Sequence, residues 1–235
     1  MKKNIIAIIC PDVHGRTFWE KLLEEYDGSV PCIFLGDYLD PYPNENISVK
    51  DAKKNFKKIW NFKEKWGDKV ILLFGNHDLS YYDRYFRCCR YSSYYHRWYN
   101  DFLRRNENNF KIMHEIENNG KKILFSHSGV NPSWIKQNNF EDNFSADYIN
   151  SLFYTNRETF NQYSYYRGGY MNAGSPVWAD IREYLHLDDK DYKSYIIQIV
   201  GHTQLTNDTF NIENITCVDS RQLFVLTNEN TIEKY

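Results

Sequence analysis

Four of the seven histidines, His14, His77, His127 and His202, stand just after short apolar runs. Asp12, Asp37 and Asn76 occupy the same kind of position. Imidazole, carboxylate and amide oxygen in one set suit Mn, Fe, Zn and similar divalent ions. The residues fall in five short segments: Asp12-Val13-His14-Gly15, Gly36-Asp37-Tyr38-Leu39-Asp40, Gly75-Asn76-His77-Asp78, Ser126-His127-Ser128-Gly129 and Gly201-His202-Thr203-Gln204. Singly, each is weak evidence: Asp-x-His arises by chance, and a histidine after a strand is usually only hydrogen-bonded. The weight lies in the ordered set, flanked by glycines that permit tight turns and close backbone approach.

Residues this far apart in the chain converge only if the fold brings them to one edge. In open α/β sheets, ligands bind beyond the carboxyl ends of the strands. The runs Ile5–Cys10, Cys32–Leu35, Val70–Phe74, Ile123–Phe125 and Tyr195–Val200 read as buried strands, and each ends at one of the segments above. Helices are expected over Phe18–Tyr26, from a Ser48 cap to about Trp66, and over Ala146–Phe160. In the second of these, Val49, Ala52, Phe56, Ile59 and Trp60 keep helical spacing, with lysines opposite, and Gly67-Asp68 ends the run. The alternation of strand and helix indicates an α/β fold. The final runs, Asn214–Asp219, Gln222–Thr227 and Thr231–Tyr235, read as an antiparallel meander.

Bulk properties narrow the class. A length of 235 residues suggests a single domain over 1–235, with room for an insertion. Lysine and arginine total 29 against 31 acidic residues, a balance that argues against a nucleic-acid coat or a polybasic membrane binder. Pro11 and Asp12 stop the first apolar run too early for a signal peptide or a membrane span. A cytoplasmic protein is therefore expected. Cys10, Cys32, Cys88, Cys89 and Cys217 are odd in number and do not form a secreted disulfide framework. The adjacent pair Cys88-Cys89 lacks zinc-site spacing and reads as structural.

The five segments together resemble the calcineurin-like metallophosphoesterase superfamily, and within it the phosphoprotein-phosphatase branch, which includes serine/threonine phosphatases and symmetrical dinucleoside tetraphosphatases. The likeness runs from about Asp12 to about Asp219. It implies a four-layer α/β/β/α sandwich with two divalent metal ions, Mn first among Mn, Fe, Zn, Ni and Co. By the same resemblance Asp12 and His14 hold the first metal, Asp37 bridges both, and Asn76, His127 and His202 hold the second. Asn76 also touches substrate, His77 is the general acid and Asp40 orients it. The physics agrees. Two cations roughly 3.5–4 Å apart lower the pKa of a bridging water to give a hydroxide that attacks phosphorus. Histidine is the side chain best matched to protonating a leaving alkoxide near neutral pH.

The chain departs from the pattern in places. Pro11 stands where the family often has glycine, and Pro41-Tyr42 follow Asp40 where the branch continues Arg-Gly. A phosphate-binding arginine is thereby missing, and Arg182, after Pro176-Val177-Trp178, is the candidate substitute. Gln204 replaces a second histidine common in phosphodiesterase branches, which tilts the reading toward monoesters or pyrophosphates.

Ser80–Phe110 follows the expected general acid and mixes tyrosines, Phe86, Trp98 and Phe102 with Arg84, Arg87, Arg90, Arg97, Arg104 and Arg105. It reads as a helical insertion or cap over 80–110. Its rings either pack on the domain, the commoner use of aromatic stripes, or stack on a substrate base. The expected partner is a phosphorylated substrate: a phosphomonoester, small molecule or phosphoprotein, or alternatively a nucleotide or dinucleoside polyphosphate. No stable nucleic-acid partner and no membrane are expected, and the sequence leaves oligomeric state open. A non-catalytic scaffold of the same fold would have lost ligands, whereas all six positions are filled. An RNA-binding module would need a broad basic face that the charge balance does not supply.

Overall fold

The computed structural model describes residues 4–83, 86, 88–186 and 196–235. Arg84, Arg87 and Tyr195 lie outside the described residues. The chain divides into two compact units, Met1–Phe110 with Arg221–Tyr235, and Lys111–Ser220. The first strands are β1 (Ile5–Cys10), β2 (Cys32–Phe34), β3 (Val70–Leu73), β4 (Phe110–Lys111), β5 (Met113–Asn118) and β6 (Lys121–Ser126). They are followed by β7 (Ile196–Val200), β8 (Phe210–Ile212), β9 (Ile215–Cys217), β10 (Phe224–Thr227) and β11 (Ile232–Lys234). The α-helices are α1 (Leu22–Glu25), α2 (Val49–Trp66), α3 (Asn76–Tyr82), α4 (His96–Arg105), α5 (Pro132–Gln137) and α6 (Ala146–Thr155).

The first unit is built on a sheet of order β11-β10-β1-β2-β3-β4. β1, β2 and β3 run parallel, with Cys10 opposite Phe34 and Phe34 opposite Leu72, so their carboxyl ends lie side by side. Parallel strands are covered on both faces, which explains their unbroken apolar runs. α2 forms as the sequence predicts. The Ser48 hydroxyl accepts from the Asp51 amide at 3.1 Å, and the helix ends at Gly67 with φ 54°. Its Ala52, Phe56, Ile59 and Phe62 are buried. α4, in the Tyr/Arg-rich stretch, packs on α2 through its rings: Phe56 meets Tyr99 at 5.0 Å and Phe102 at 5.1 Å, and Trp60 meets Phe102 at 4.8 Å.

The second unit holds a sheet of order β5-β6-β7-β9-β8. β5 and β6 form a hairpin across Asn119-Gly120, both with positive φ, as a tight two-residue turn requires. β6 and β7 are parallel, with Ser126 opposite Val200. β7 and β9 are also parallel, with Val200 opposite Cys217.

The α/β class is as expected, with three local differences. The first helix is a single turn, Leu22–Glu25, preceded by turns rather than beginning at Phe18. The third ends at Thr155 and gives way to a 3-10 turn over Arg157–Asn161. The C-terminal runs do not form one meander. β9 pairs parallel with β7 in the second sheet, whereas β10 and β11 form a hairpin whose first strand lies antiparallel to β1 in the first sheet. Short strands carry no record of distant partners, because pairing is decided by packing rather than by local propensity.

Candidate metal centre and acid dyad

In the first unit the parallel register sets the loops after β1, β2 and β3 against one another. The His14 amide donates to the Asp37 carbonyl at 2.6 Å and the Gly15 amide to the Tyr38 carbonyl at 3.0 Å. Gly36 and Gly75 make this approach feasible. A Cβ at Gly36 would stand 2.4 Å from the Gly75 nitrogen, and one at Gly75 would stand 2.1 Å from Asp37 Oδ1. Asp78, fully buried, ties the loops from below. Its Oδ2 accepts from the Asp37 and Gly75 amides at 2.7 and 2.9 Å, and its Oδ1 from the Tyr38 amide at 3.2 Å and the Tyr99 hydroxyl at 2.9 Å.

Asp12, His14 and Asp37 form a buried cluster whose ligand atoms all lie within 4.8 Å of one another. His14 Nδ1 donates to the Leu39 carbonyl at 2.9 Å, which leaves Nε2 as the nitrogen with the lone pair. That nitrogen faces Asp37 Oδ2 at 3.4 Å and Asp12 Oδ2 at 3.9 Å. Burial and the neighbouring His77 and Arg90 push the His14 pKa well down, so the ring is neutral. A neutral imidazole lone pair aimed at two carboxylates is a donor set for a divalent cation. Burial pushes Asp37 up to about 7, a value a bound cation would lower. Asn76 opens α3 directly after Gly75, and its amide nitrogen donates to Cys88 Sγ at 3.0 Å, which turns its oxygen the other way.

His77 is the next residue of α3. Its Nδ1 lies 2.8 Å from Asp40 Oδ2, and its backbone amide donates to Asp37 Oδ1 at 2.9 Å. The other oxygen of Asp40 accepts from the Tyr81 hydroxyl at 2.5 Å. Burial lifts the Asp40 pKa to about 7, against the pull of Tyr81 and Arg90. The His77 and His14 rings meet edge to face at 5.1 Å, so the dyad borders the cluster. Arg90 enters the same place. One of its η nitrogens lies 3.1 Å from His77 Nε2 and 3.5 Å from His14 Nε2.

In the second unit, the parallel pair β6 and β7 sets His127 beside His202, with Nε2 and Nδ1 3.0 Å apart. The Gly201 amide donates to the His127 carbonyl at 2.8 Å. Two ring nitrogens this close share a proton or a cation. Arg182 lies in the same unit. Its Nε and an η nitrogen donate to Asp180 at 2.7 and 3.0 Å, and an η nitrogen also donates to the Tyr166 carbonyl at 3.2 Å. Arg167 joins the same carboxylate at 2.9 Å and reaches Thr203, the residue after His202, at 2.9 Å.

Among the described residues with positive φ other than glycine and asparagine, His14, Asp37, Asp40, Arg90 and His202 stand at 45°, 53°, 58°, 60° and 64°, beside Glu213 and Arg221 outside the site. Such strain concentrates where surrounding structure holds functional groups in place.

The sequence profile of the calcineurin-like phosphoesterases matches residues 7–219. The chain belongs to the calcineurin-like phosphoesterase family. Membership makes this phosphoesterase a metal-dependent hydrolase of phosphate esters with a centre for two divalent metals, and the Asp12–His14–Asp37 cluster is fitted to hold metal. A comparison with curated proteins gives no match. Among solved structures, the phosphoesterase resembles a protein serine/threonine phosphatase from Saccharomyces cerevisiae with similarity to human phosphatase PP5. The TM-score is 0.55 at 11% identity, covering 96% of this chain and 73% of the yeast one, which is a likeness of fold. No helix among the described residues is long and apolar enough to cross a membrane.

Arg90, Tyr81, Asp78 and Cys88 are the site's residues that motif reading does not assign. Asp78 stands inside a quoted motif, and the other three stand just downstream of it, where only the folded turn after α3 shows which of many arginines and tyrosines faces inward.

Proposed function

We propose that this phosphoesterase is a phosphomonoesterase or phosphoprotein phosphatase whose metal ligands are Asp12, His14, Asp37 and Asn76 from the first unit and His127 and His202 from the second. Asn76 also contacts the substrate. The observation that carries the reading is the His77–Asp40 dyad, 2.8 Å apart and buried beside the Asp12–His14–Asp37 cluster.

The metal pair, when bound, supplies a water of lowered pKa and screens charge on the phosphoryl oxygens. The chain's own residues do the rest. Asp40 accepts a hydrogen bond from the Nδ1–H of His77, so Nε2 of the protonated ring is the nitrogen that hands a proton to the leaving oxygen. The Tyr81 hydroxyl fixes the second oxygen of Asp40 and keeps that carboxylate from turning away. The Asp37 Oδ1 contact to the His77 amide joins the acid to the metal loop through a single peptide. In this scheme Asp180 anchors Arg182 through Nε and one η nitrogen, the half-exposed guanidinium remains a candidate for substrate charge, and a second arginine supplies more. Mn²⁺ is the metal proposed. The compartment proposed is the cytoplasm, where the five free cysteines stay reduced.

The test is hydrolysis of p-nitrophenyl phosphate, a phosphoserine peptide and diadenosine tetraphosphate by metal-stripped protein with and without Mn²⁺. Metal-dependent release from the monoester or the peptide is expected. Fastest turnover of the tetraphosphate would replace this reading with a nucleotide hydrolase. Silence on all three with metal bound would overturn it.

A further inference from the structure

We propose, resting on that reading, that Arg90 is the phosphate-binding side chain of the site and selects terminal phosphate groups over diesters. Three anchors hold its guanidinium at the cluster. Its Nε donates to the Asp40 carbonyl at 3.2 Å. Its plane lies over the Tyr42 ring, 3.8 Å from the centroid, and Tyr42 in turn meets the His14 ring at 5.1 Å. Its backbone sits in the left-handed region at φ 60°. The turn is fixed on its far side as well. The Ser92 amide donates to the Tyr81 hydroxyl at 2.7 Å, and the Tyr91 ring stacks on Tyr81 at 4.7 Å. With Nε committed to backbone and one η nitrogen 3.5 Å from Cys89 Sγ, the other η nitrogen lies against the Nε2 atoms of His77 and His14.

A guanidinium held in this way is pre-organised for two oxygens of one phosphoryl group. Its place decides which phosphoryl groups gain. A phosphoryl group carried by the cluster would come within reach of the guanidinium, because one η nitrogen already borders the His14 ring that faces Asp37. A monoester or terminal phosphate has three unesterified oxygens and two negative charges near neutral pH. It can satisfy the cluster and the arginine together. A diester has only two such oxygens and one charge, and the arginine adds little to it. Arg90 is partly exposed, so a ligand can reach it without unfolding the turn.

The experiment compares Mn²⁺-loaded wild type, Arg90→Ala and Arg90→Lys on p-nitrophenyl phosphate and bis(p-nitrophenyl) phosphate. Metal content and inorganic phosphate affinity by calorimetry are read alongside. Arg90→Ala should lose about 100-fold in kcat/KM on the monoester. Its phosphate affinity should fall about tenfold or more, with metal content unchanged and diester turnover within about threefold. Arg90→Lys should recover only part, since an ammonium cannot clamp two oxygens in the plane of the fork. An equal loss on both esters, unchanged phosphate affinity, or tighter metal binding with full monoesterase activity would overturn the assignment. A wild type that hydrolyses no ester would sink the phosphoesterase scheme, while the phosphate titration would still report on Arg90.

Discussion

Tyr81 and Asp40 meet at 2.5 Å, hydroxyl to carboxylate, and the same hydroxyl accepts the Ser92 amide at 2.7 Å. One oxygen atom thus joins the acid dyad to the turn that carries Arg90. The stretch after α3 is therefore part of the site, while its α4 rings serve the packing of α2.

His77→Ala should keep the metals and the fold. Its kcat should drop about 100-fold or more on a substrate with a poor leaving group, such as a phosphoserine peptide, and much less on p-nitrophenyl phosphate, whose leaving group needs no proton. Steady-state rates over a series of leaving groups read this directly. A uniform loss would deny His77 the acid role.

Asp37→Asn removes the charge that His14 Nε2 faces at 3.4 Å while keeping the shape of the loop. Metal content by plasma emission should fall well below that of the wild type, and turnover with it. A variant that keeps both metals and full activity would show that the carboxylate is not a ligand.

The pH dependence of metal uptake follows from burial. Asp37 is pushed up to about 7, whereas His14 is held well below its usual value and stays neutral near that pH. A cation needs the Asp37 carboxylate, so below about pH 7 each ion displaces a proton and apparent affinity falls by up to about tenfold per unit. Above about pH 8 the affinity should level off. Mn²⁺ calorimetry in two buffers of different ionisation heat would show proton release at about pH 6 and none at about pH 8. Equal proton release at both would contradict the assignment.

Asp78→Asn should cost about 3 kcal/mol or more, because a new amide N–H would face backbone amides that now donate to a carboxylate. Thermal melting of metal-free protein measures this without involving catalysis. A shift within experimental error would mean the two loops do not depend on Asp78.

Burial holds His114 of β5 down at about 4, against an ordinary value of 6.5. Between these values the unfolded chain takes up a proton that the folded chain refuses. Stability therefore falls as pH drops through that window and is unaffected above it. His114→Phe should flatten the acid limb of the stability curve by about 1–2 kcal/mol after discounting for partial solvent screening. Urea titrations from about pH 7 to pH 4 would reveal it, and superimposable limbs would rule it out.

The candidate site residues are readable from sequence because each lies within a few residues after an apolar run, and parallel strands bring such positions together by construction. Asp12, His14, Asp37, Asn76 and His77 fall where that rule puts them. So do His127 and His202, in their own sheet. Ser48 and Gly67 mark the ends of α2 because capping is a local matter. Arg90 is not legible in the same way. It is one of several arginines in an aromatic stretch, and its direction comes from a left-handed backbone turn and a ring 48 residues upstream. Pro41, in place of a charge after Asp40, tells only that the charge must come from elsewhere. The split of the C-terminal runs between two sheets is hidden for a related reason: β9 and β10 look alike in composition and differ only in which distant strand has an edge open to them.

That last pairing has a bearing on how the protein is made. β1, which leads into Asp12 and His14, finds its β2 neighbour early in synthesis, but its other edge is closed by β10 and therefore waits for Phe224–Thr227. Asp12 and His14 sit at the end of a strand whose flank is completed only when Phe224–Thr227 have been made. Until then β1 offers an unpaired edge, the feature that most readily recruits foreign strands. A nascent chain stalled before Phe224 would carry Asp12 and His14 on a half-finished sheet, and such a chain would call on chaperones to shield that edge.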